Sequence, residues 1–268
     1  MSVMAISPLL SKTARDMAEG VSAWRLWSTF GWHDLQARFR RSWIGPLWLM
    51  LSAAVFMAAL SIVYATLFKI ALGAYLPFVA VGVSVWGFLA AVTSESTLVF
   101  VESESFIRQT RINLFVYVFR VLWRNIIVFC HQFVVTLVVL ILANNFFVTM
   151  IPLAFFGLAL LFAQALWMLP LFGLIGARFR DAQVIIQNLL QVAFFITPVF
   201  WPAASLGSRR WLADLNPLNS LIDVVREPLL GRVPTLQCYS IVLAVTFLGL
   251  LTSSFFYGRF SKRLVYWL

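Results

Sequence analysis

The chain is poor in the groups on which most enzymes and most soluble domains depend. Of its 268 residues only 11% are charged and 62% are hydrophobic, against roughly 25% and 45–50% in soluble domains. So few charges cannot cover the surface of a water-soluble fold of this length, so lipid must replace much of the water. There are two cysteines. Cys130 lies inside an apolar run and Cys238 at the start of another, which argues against a disulfide framework and for small apolar packing residues. His33 and His131 occupy different surroundings, which argues against a zinc site, and His131 is expected to be hydrogen-bonded within a helix bundle. No lysine follows a glycine, so the phosphate-cradling loop of nucleotide hydrolases is missing. Ser84 and His131 lack the remainder of a catalytic cluster. The chain is therefore expected to be no enzyme and to bind no metal or cofactor.

What is present is a series of apolar runs. A membrane-crossing helix needs about 20 mostly apolar residues, because ~30 Å of hydrocarbon is covered at ~1.5 Å per residue. The runs 46–68, 76–100, 115–142, 152–176, 183–200 and 237–258 qualify, the fifth being interrupted near its far end by Thr197-Pro198 and Trp201-Pro202. Residues 1–20 hold no continuous apolar core, so no cleaved secretory signal is expected and the first run inserts uncleaved. The expected fold is all-α and integral to the membrane: one permease domain, 1–268, with six transmembrane helices.

The net charge of +10 does not indicate nucleic acid, because the basic residues fall between apolar runs and form no single patch. They set topology instead. With the N-terminus inside, 13 basic residues face the cytoplasm and 5 face outside, leaving Arg120 and Arg124 within the third run. Six crossings with both termini cytoplasmic satisfy this bias, and Arg209, Arg210, Arg226 and Arg232 break it within one outside segment.

Three further segments are too polar or too interrupted to cross. Residues 21–42, with Trp24, Trp27, Leu35 and Phe39 among arginines, read as an amphipathic helix lying in the cytoplasmic interface, ended by Gly45-Pro46. Arg38, Arg40 and Arg41 on it serve either to anchor anionic lipid or to receive an anionic substrate. Residues 102–113 form a polar connection of mixed charge, either a plain loop or a docking surface. Residues 201–236 are unusually apolar for an outside loop. Asn216 followed by Pro217 reads as a capped helix start, and Leu218, Leu221, Ile222 and Val225 would share one face of that helix. Such a helix is expected to dip back into the outer half of the membrane, covered by protein.

Charges within the runs matter most, since each costs at least ~2.5–3.5 kcal/mol at a helix centre on insertion scales. Arg120 and Arg124 share a face at i, i+4 spacing, and Glu95 lies on the preceding helix. The three are expected to meet in the bundle interior or at a subunit seam, as an orienting ion pair or as part of a substrate path.

Four stretches resemble the membrane subunit of polysaccharide-exporting ABC transporters of the type-2 permease group. They are DLQARFRRSWIGPLWLML at 34–51, YVFRVLWRNIIVFCHQ at 117–132, GARFRDAQVIIQNLLQVAFFITPVFW at 176–201 and NPLNSLIDVVREPLLG at 216–231. The stretch at 117–132 most resembles the O-antigen branch, and the proline-containing pattern that related teichoic acid permeases carry before span three is not seen at 107–115. The resemblance implies a homodimer in the bacterial inner membrane that pairs with two copies of a separate ATPase, which binds ATP and Mg. It places Glu104, Phe106, Ile107, Arg108 and Arg111 on a coupling helix against that ATPase, and re-entrant periplasmic helices between spans five and six as a gate. It further implies a glycan carried on a polyprenyl diphosphate. Arg38, Arg40 and Arg41 are then candidates to meet the diphosphate. Tyr64, Phe68, Pro198, Phe200, Trp201, Asn216 and Pro217 are candidates for conduit and gate. Capsular or teichoic-type polymer remains an alternative cargo, and a small hydrophobic molecule a more distant one.

Overall fold

The computed structural model describes residues 7–40, 43–45, 47–144 and 147–268. Residues 1–6, Arg41, Ser42 and Pro46, used in the sequence reading, fall outside the described residues. Among the described residues every regular element is helical. The order is α1 (Ser7–Ser22), α2 (Trp24–Phe39), α3 (Leu47–Phe68), α4 (Leu72–Ser96), α5 (Glu104–Gln109), α6 (Leu114–Leu142), α7 (Ile151–Arg178), α8 (Ala182–Ile196), α9 (Trp211–Asp214), α10 (Pro217–Leu229), α11 (Leu236–Phe260) and α12 (Leu264–Trp267).

Among the described residues, five helices are long and apolar enough to cross a membrane: α3, α4, α6, and those that contain α7 and α11. The fifth expected run is shorter than 183–200. It forms α8, of 15 residues, or ~22 Å at 1.5 Å per residue. Thr197 ends it in extended backbone, at φ −85° and ψ 138°, because a following proline disfavours the helical region for the residue before it. The chain nonetheless returns across the bundle here. Gln164 bonds Thr246 at 2.6 Å and Trp167 packs on Gly249, so α7 and α11 run parallel and the segment between them must cross back.

The expected helix over 21–42 is divided. α1 and α2 meet at Ala23, whose backbone (φ −80°, ψ 30°) interrupts the helix. α1 starts well before the expected boundary and ties to α11 through Thr13 Oγ1, which donates to the Ser254 carbonyl at 2.9 Å. α2 lies on α6 through Trp27, Gly31 and Leu35; Trp24 faces outward. Cys130 also departs from expectation: its thiol is exposed on α6 and does not pack in the core.

α4 is the central post. In its most apolar stretch 67% is buried, against 11% for α3, and α4 packs on α3, α6, α7, α8 and α10. Ser84 with Thr136 at 2.7 Å, and Glu95 with Arg124 at 2.9 Å, fix α4 and α6 antiparallel. One end of the bundle therefore gathers the 97–113 connection, the start of α8 and the end of α11. We call it the basic end, since Arg108, Arg111, Arg178, Arg180, Arg259, Lys262 and Arg263 lie there.

In lipid the hydrophobic effect drives helices together only weakly, so close packing through small residues takes its place. At Gly157 of α7 a Cβ would collide with the Val224 carbonyl of α10, and at Gly82 of α4 with the Val199 carbonyl that follows α8. Gly157→Ala would gain about 0.5–1 kcal/mol of helix propensity, yet overpacking typically costs ~1–3 kcal/mol. The obstructing atom is backbone, so the second effect wins. Gly157→Ala should lower the unfolding temperature of the purified chain, and Gly157→Val should lower it further. An unchanged transition in both would contradict the packing described.

Candidate functional site

Three arrangements bring chemistry-bearing residues together, and the first is the intramembrane charge cluster. Arg120 donates to both oxygens of Asp34, at 2.7 and 2.6 Å. Arg124 reaches Asp34 at 3.3 Å and Glu95 at 2.9 Å, and Asn125 donates to the same Glu95 oxygen at 2.7 Å. Arg124 and Glu95 thus meet as the sequence suggests, whereas Arg120 reaches the set only through Asp34 of α2. These four charged side chains keep 16–29% of their surface exposed, so the cluster lies at the flank of the bundle under α2. The bidentate Arg120–Asp34 geometry is the strong form of this interaction.

The second arrangement lies at the other end. Asn216 caps α10 by accepting from Leu218 N at 2.9 Å, with Pro217 at the first helical position. Its amide also donates to Thr197 Oγ1 at 3.1 Å. α10 is wedged against α4, α7 and α11, with Leu221, Ile222, Val224 and Val225 buried. Arg226 is 3% exposed. It donates to Asp223 Oδ1 through Nη2 at 2.6 Å and to the Pro198 carbonyl through Nη1 at 2.8 Å. Its guanidinium stands 4.1 Å from the Phe78 ring centroid. A buried cation requires such pairing. At the adjacent position, burial pushes the Glu227 carboxyl above its ordinary range, opposed chiefly by Arg232, 2.8 Å away.

Between these ends runs a groove of about 670 Å³, walled by α3, α4, α6 and α8. Its lining combines Phe56, Trp86 and Phe194 with Ser52, Ser84, Gln132 and Gln191, and holds no charge. Rings close its far end: Phe194 to Phe200 is 5.2 Å, Tyr64 to Phe200 is 4.7 Å and Tyr64 to Phe68 is 6.0 Å. Tyr75 donates to the Phe200 carbonyl. The structure thus groups Tyr64, Phe68 and Phe200, while the Trp201 indole turns back to the Phe195 carbonyl at 3.0 Å.

At the basic end, α5 is anchored by buried Ile107 and spanned by the exposed Glu104–Arg108 pair at 2.9 Å. Phe106 is 47% exposed, 6.2 Å from Phe30 of α2. Glu104 also borders a cavity of about 350 Å³ with Arg180 and Trp267, and Arg111 borders another with Lys12 and Lys262. Arg38 and Arg40 are exposed, and Arg40 lines an open recess with Trp32 and Gly45.

Sequence reasoning missed Asp34, Arg226, Gln132 and Gln191. A carboxylate among arginines, and an Asp–Arg pair at i, i+3 in an otherwise apolar helix, are the available signals for the first two. The glutamines become legible only once α6 and α8 face one groove.

Among the described residues, an all-helical bundle with five membrane-length helices marks a multi-pass membrane protein, and residues 25–230 match the ABC-2 type transporter family. The chain belongs to that family, as a transmembrane permease. It is also similar to the O-antigen export system permease protein RfbA of Myxococcus xanthus, 27% identical over 203 residues that cover 70% of this chain and 74% of that protein.

Asp34→Asn should leave Arg120 without its carboxylate, while Arg124 keeps Glu95. The loss expected is about 1–3 kcal/mol, below the ~3–5 kcal/mol of a fully buried pair because the side chains remain partly solvated. Adding Arg120→Gln should restore part of it, measured as chemical unfolding in detergent. Two additive losses would show that the residues are not coupled.

Proposed function

We propose that the chain is the permease subunit of an ABC exporter of lipid-linked polysaccharide of the O-antigen kind. The observation that carries this is the uncharged groove of aromatic faces and side-chain amides and hydroxyls. A sliding glycan offers apolar ring faces and hydroxyls but no charge, and such a lining holds it without fixing it in one place. The similarity to an O-antigen export permease supports the same cargo.

In this reading the chain crosses the inner membrane six times with both termini cytoplasmic. α8 supplies the additional crossing: Gln187 meets Ser94 and the Phe200 carbonyl meets Tyr75. Those points on α4 are 19 residues apart, or ~28 Å, close to the ~30 Å core. α10 is a re-entrant helix, and together with the break at Thr197-Pro198 it forms the outer gate. The groove is open toward the exposed faces of α3 and α8, so a second copy of the chain completes the conduit. Arg38, Arg40 and Arg41 receive the polyprenyl diphosphate on the cytoplasmic side.

The work of transport comes from two copies of a separate ATPase, which hold ATP and Mg. α5 and the residues beside it dock on them: Ile107 fixes the helix to the bundle, Phe106 projects as the apolar anchor, and Glu104, Arg108 and Arg111 supply charge. Phe106→Ala should weaken ATPase association about tenfold, the equivalent of ~1.4 kcal/mol. Pull-down from membranes with the ATPase measures it, and undiminished recovery would contradict the docking role. Gln132→Leu combined with Gln191→Leu should leave membrane insertion and ATPase association intact while surface polysaccharide falls several-fold. Normal surface polymer in that double variant would overturn the conduit reading.

A further inference from the structure

A recess at the basic end brings together cations from three distant parts of the chain: Lys12 of α1, Arg111 before α6 and Lys262 after α11. Among the described residues, none of the three has a carboxylate at ion-pair distance. Lys12 Nζ donates to the Ser261 hydroxyl at 2.6 Å. Two carboxylates also line the recess, and both face other donors. Glu19 accepts from Arg15 at 3.0 Å and from the Asn113 amide at 3.3 Å, and Asp16 faces the Tyr257 hydroxyl. Three cations against two carboxylates leave the lining with a positive excess, which the pairing of Glu19 with Arg15 widens. Such a concentration of one sign of charge attracts an anionic partner and repels a cationic one.

The position of the recess selects the anion. α4 has 25 residues, or ~37 Å, so it spans the ~30 Å hydrocarbon core and leaves Glu95 near the edge. Arg124, which meets Glu95, marks the same level on α6. The recess lies at Leu114 and the residues before it, ~15 Å further out along α6. The headgroup layer is only about 5–8 Å deep. The recess therefore stands in water, beyond the lipid phosphates. It also adjoins α5, since Arg111 comes just after Gln109, where that helix ends.

We infer that this recess is a second docking site for the ATPase and receives an acidic patch on its surface. The inference rests on the reading that α5 docks on the ATPase, and it adds α1 and the end of α11 to that surface. α1 holds α11 through Thr13 and the Ser254 carbonyl, and Asn113, which caps α6, holds α1 through the Asp16 carbonyl at 2.9 Å. A partner seated here bears on α1, α6 and α11 together, and not on α5 alone.

The test is the affinity of the purified ATPase for the full chain in phospholipid nanodiscs. For the unsubstituted chain it should fall several-fold as ionic strength rises from about 0.01 M to about 0.15 M. Affinity that does not change with salt would overturn the inference without reference to any variant. Lys12→Glu combined with Lys262→Glu should weaken association about tenfold at the lower salt. Arg259→Glu combined with Arg263→Glu makes the same change of charge on exposed residues outside the recess, and should weaken it only about twofold. Equal losses in the two variants would overturn the inference, because the general field of the basic end would then account for both. Phe106→Ala, measured alongside, separates the causes of a negative result. If that variant loses association and the recess variant does not, the second site alone is refuted; if neither does, the docking of α5 fails with it. Bound phosphatidylglycerol or inorganic phosphate that disappears in the recess variant, with ATPase association intact, would overturn the inference by identifying a different occupant.

Discussion

The Arg226 guanidinium joins three pieces of chain that are distant in sequence: its own helix through Asp223, the break after α8 through the Pro198 carbonyl, and α4 through the Phe78 ring. At 3% exposure, loss of these partners would leave a buried cation without hydrogen-bond acceptors. The cation adds directional bonds to the apolar contacts that Leu221, Ile222, Val224 and Val225 make from the same helix. α8 is too short to reach the far side alone, and the 197–200 extension that completes its path is held at the Pro198 and Val199 carbonyls by Arg226. Gly82 and Gly157 serve the same end by letting two carbonyls approach the posts on which α10 rests.

The two charge clusters divide the molecule into ends of different character. Near the basic end, Asp34, Glu95, Arg120 and Arg124 are part-exposed and fasten α2 to α4 and α6, a surface bracket that water or lipid headgroups can reach. At the far end the single buried pair of α10 is sealed. Between them the conduit groove contains no charge, so a neutral chain passing along it would meet no electrostatic trap. This gradient, from solvated charges through neutral amides to a sealed cation, suits a path that opens at one end and is gated at the other.

Much of this layout is legible in the sequence, for physical reasons. Apolar runs of membrane length and the gathering of arginines between them depend on local composition, so the five long helices found among the described residues and the grouping of basic residues at one end follow directly. The Asn216-Pro217 start of α10 is equally local, a cap and a fixed φ. The division of 21–42 at Ala23 and the extra length of α1 were hidden because both rest on docking against α6 and α11, not on amphipathic periodicity. Asp34 as the partner of Arg120 was hidden for a related reason: the two lie 86 positions apart. Arg226 stands out in the sequence only as one of four arginines that break the charge bias, and its burial under Phe78 needs the fold. The exposure of Cys130 follows from the divergence of α6 and α7, which no single helix pattern encodes.

Hydrogen–deuterium exchange on the Arg226→Met chain, in the same detergent or bilayer as the unsubstituted one, tests most directly whether this cation joins α10 to the break after α8. Methionine keeps much of the side-chain volume and removes the donors. Protection should fall together in α10 and in residues 196–202, with α6 and α11 unchanged at their centres. Unchanged exchange in 196–202 would contradict the account, because it would mean that the break holds its place without Arg226.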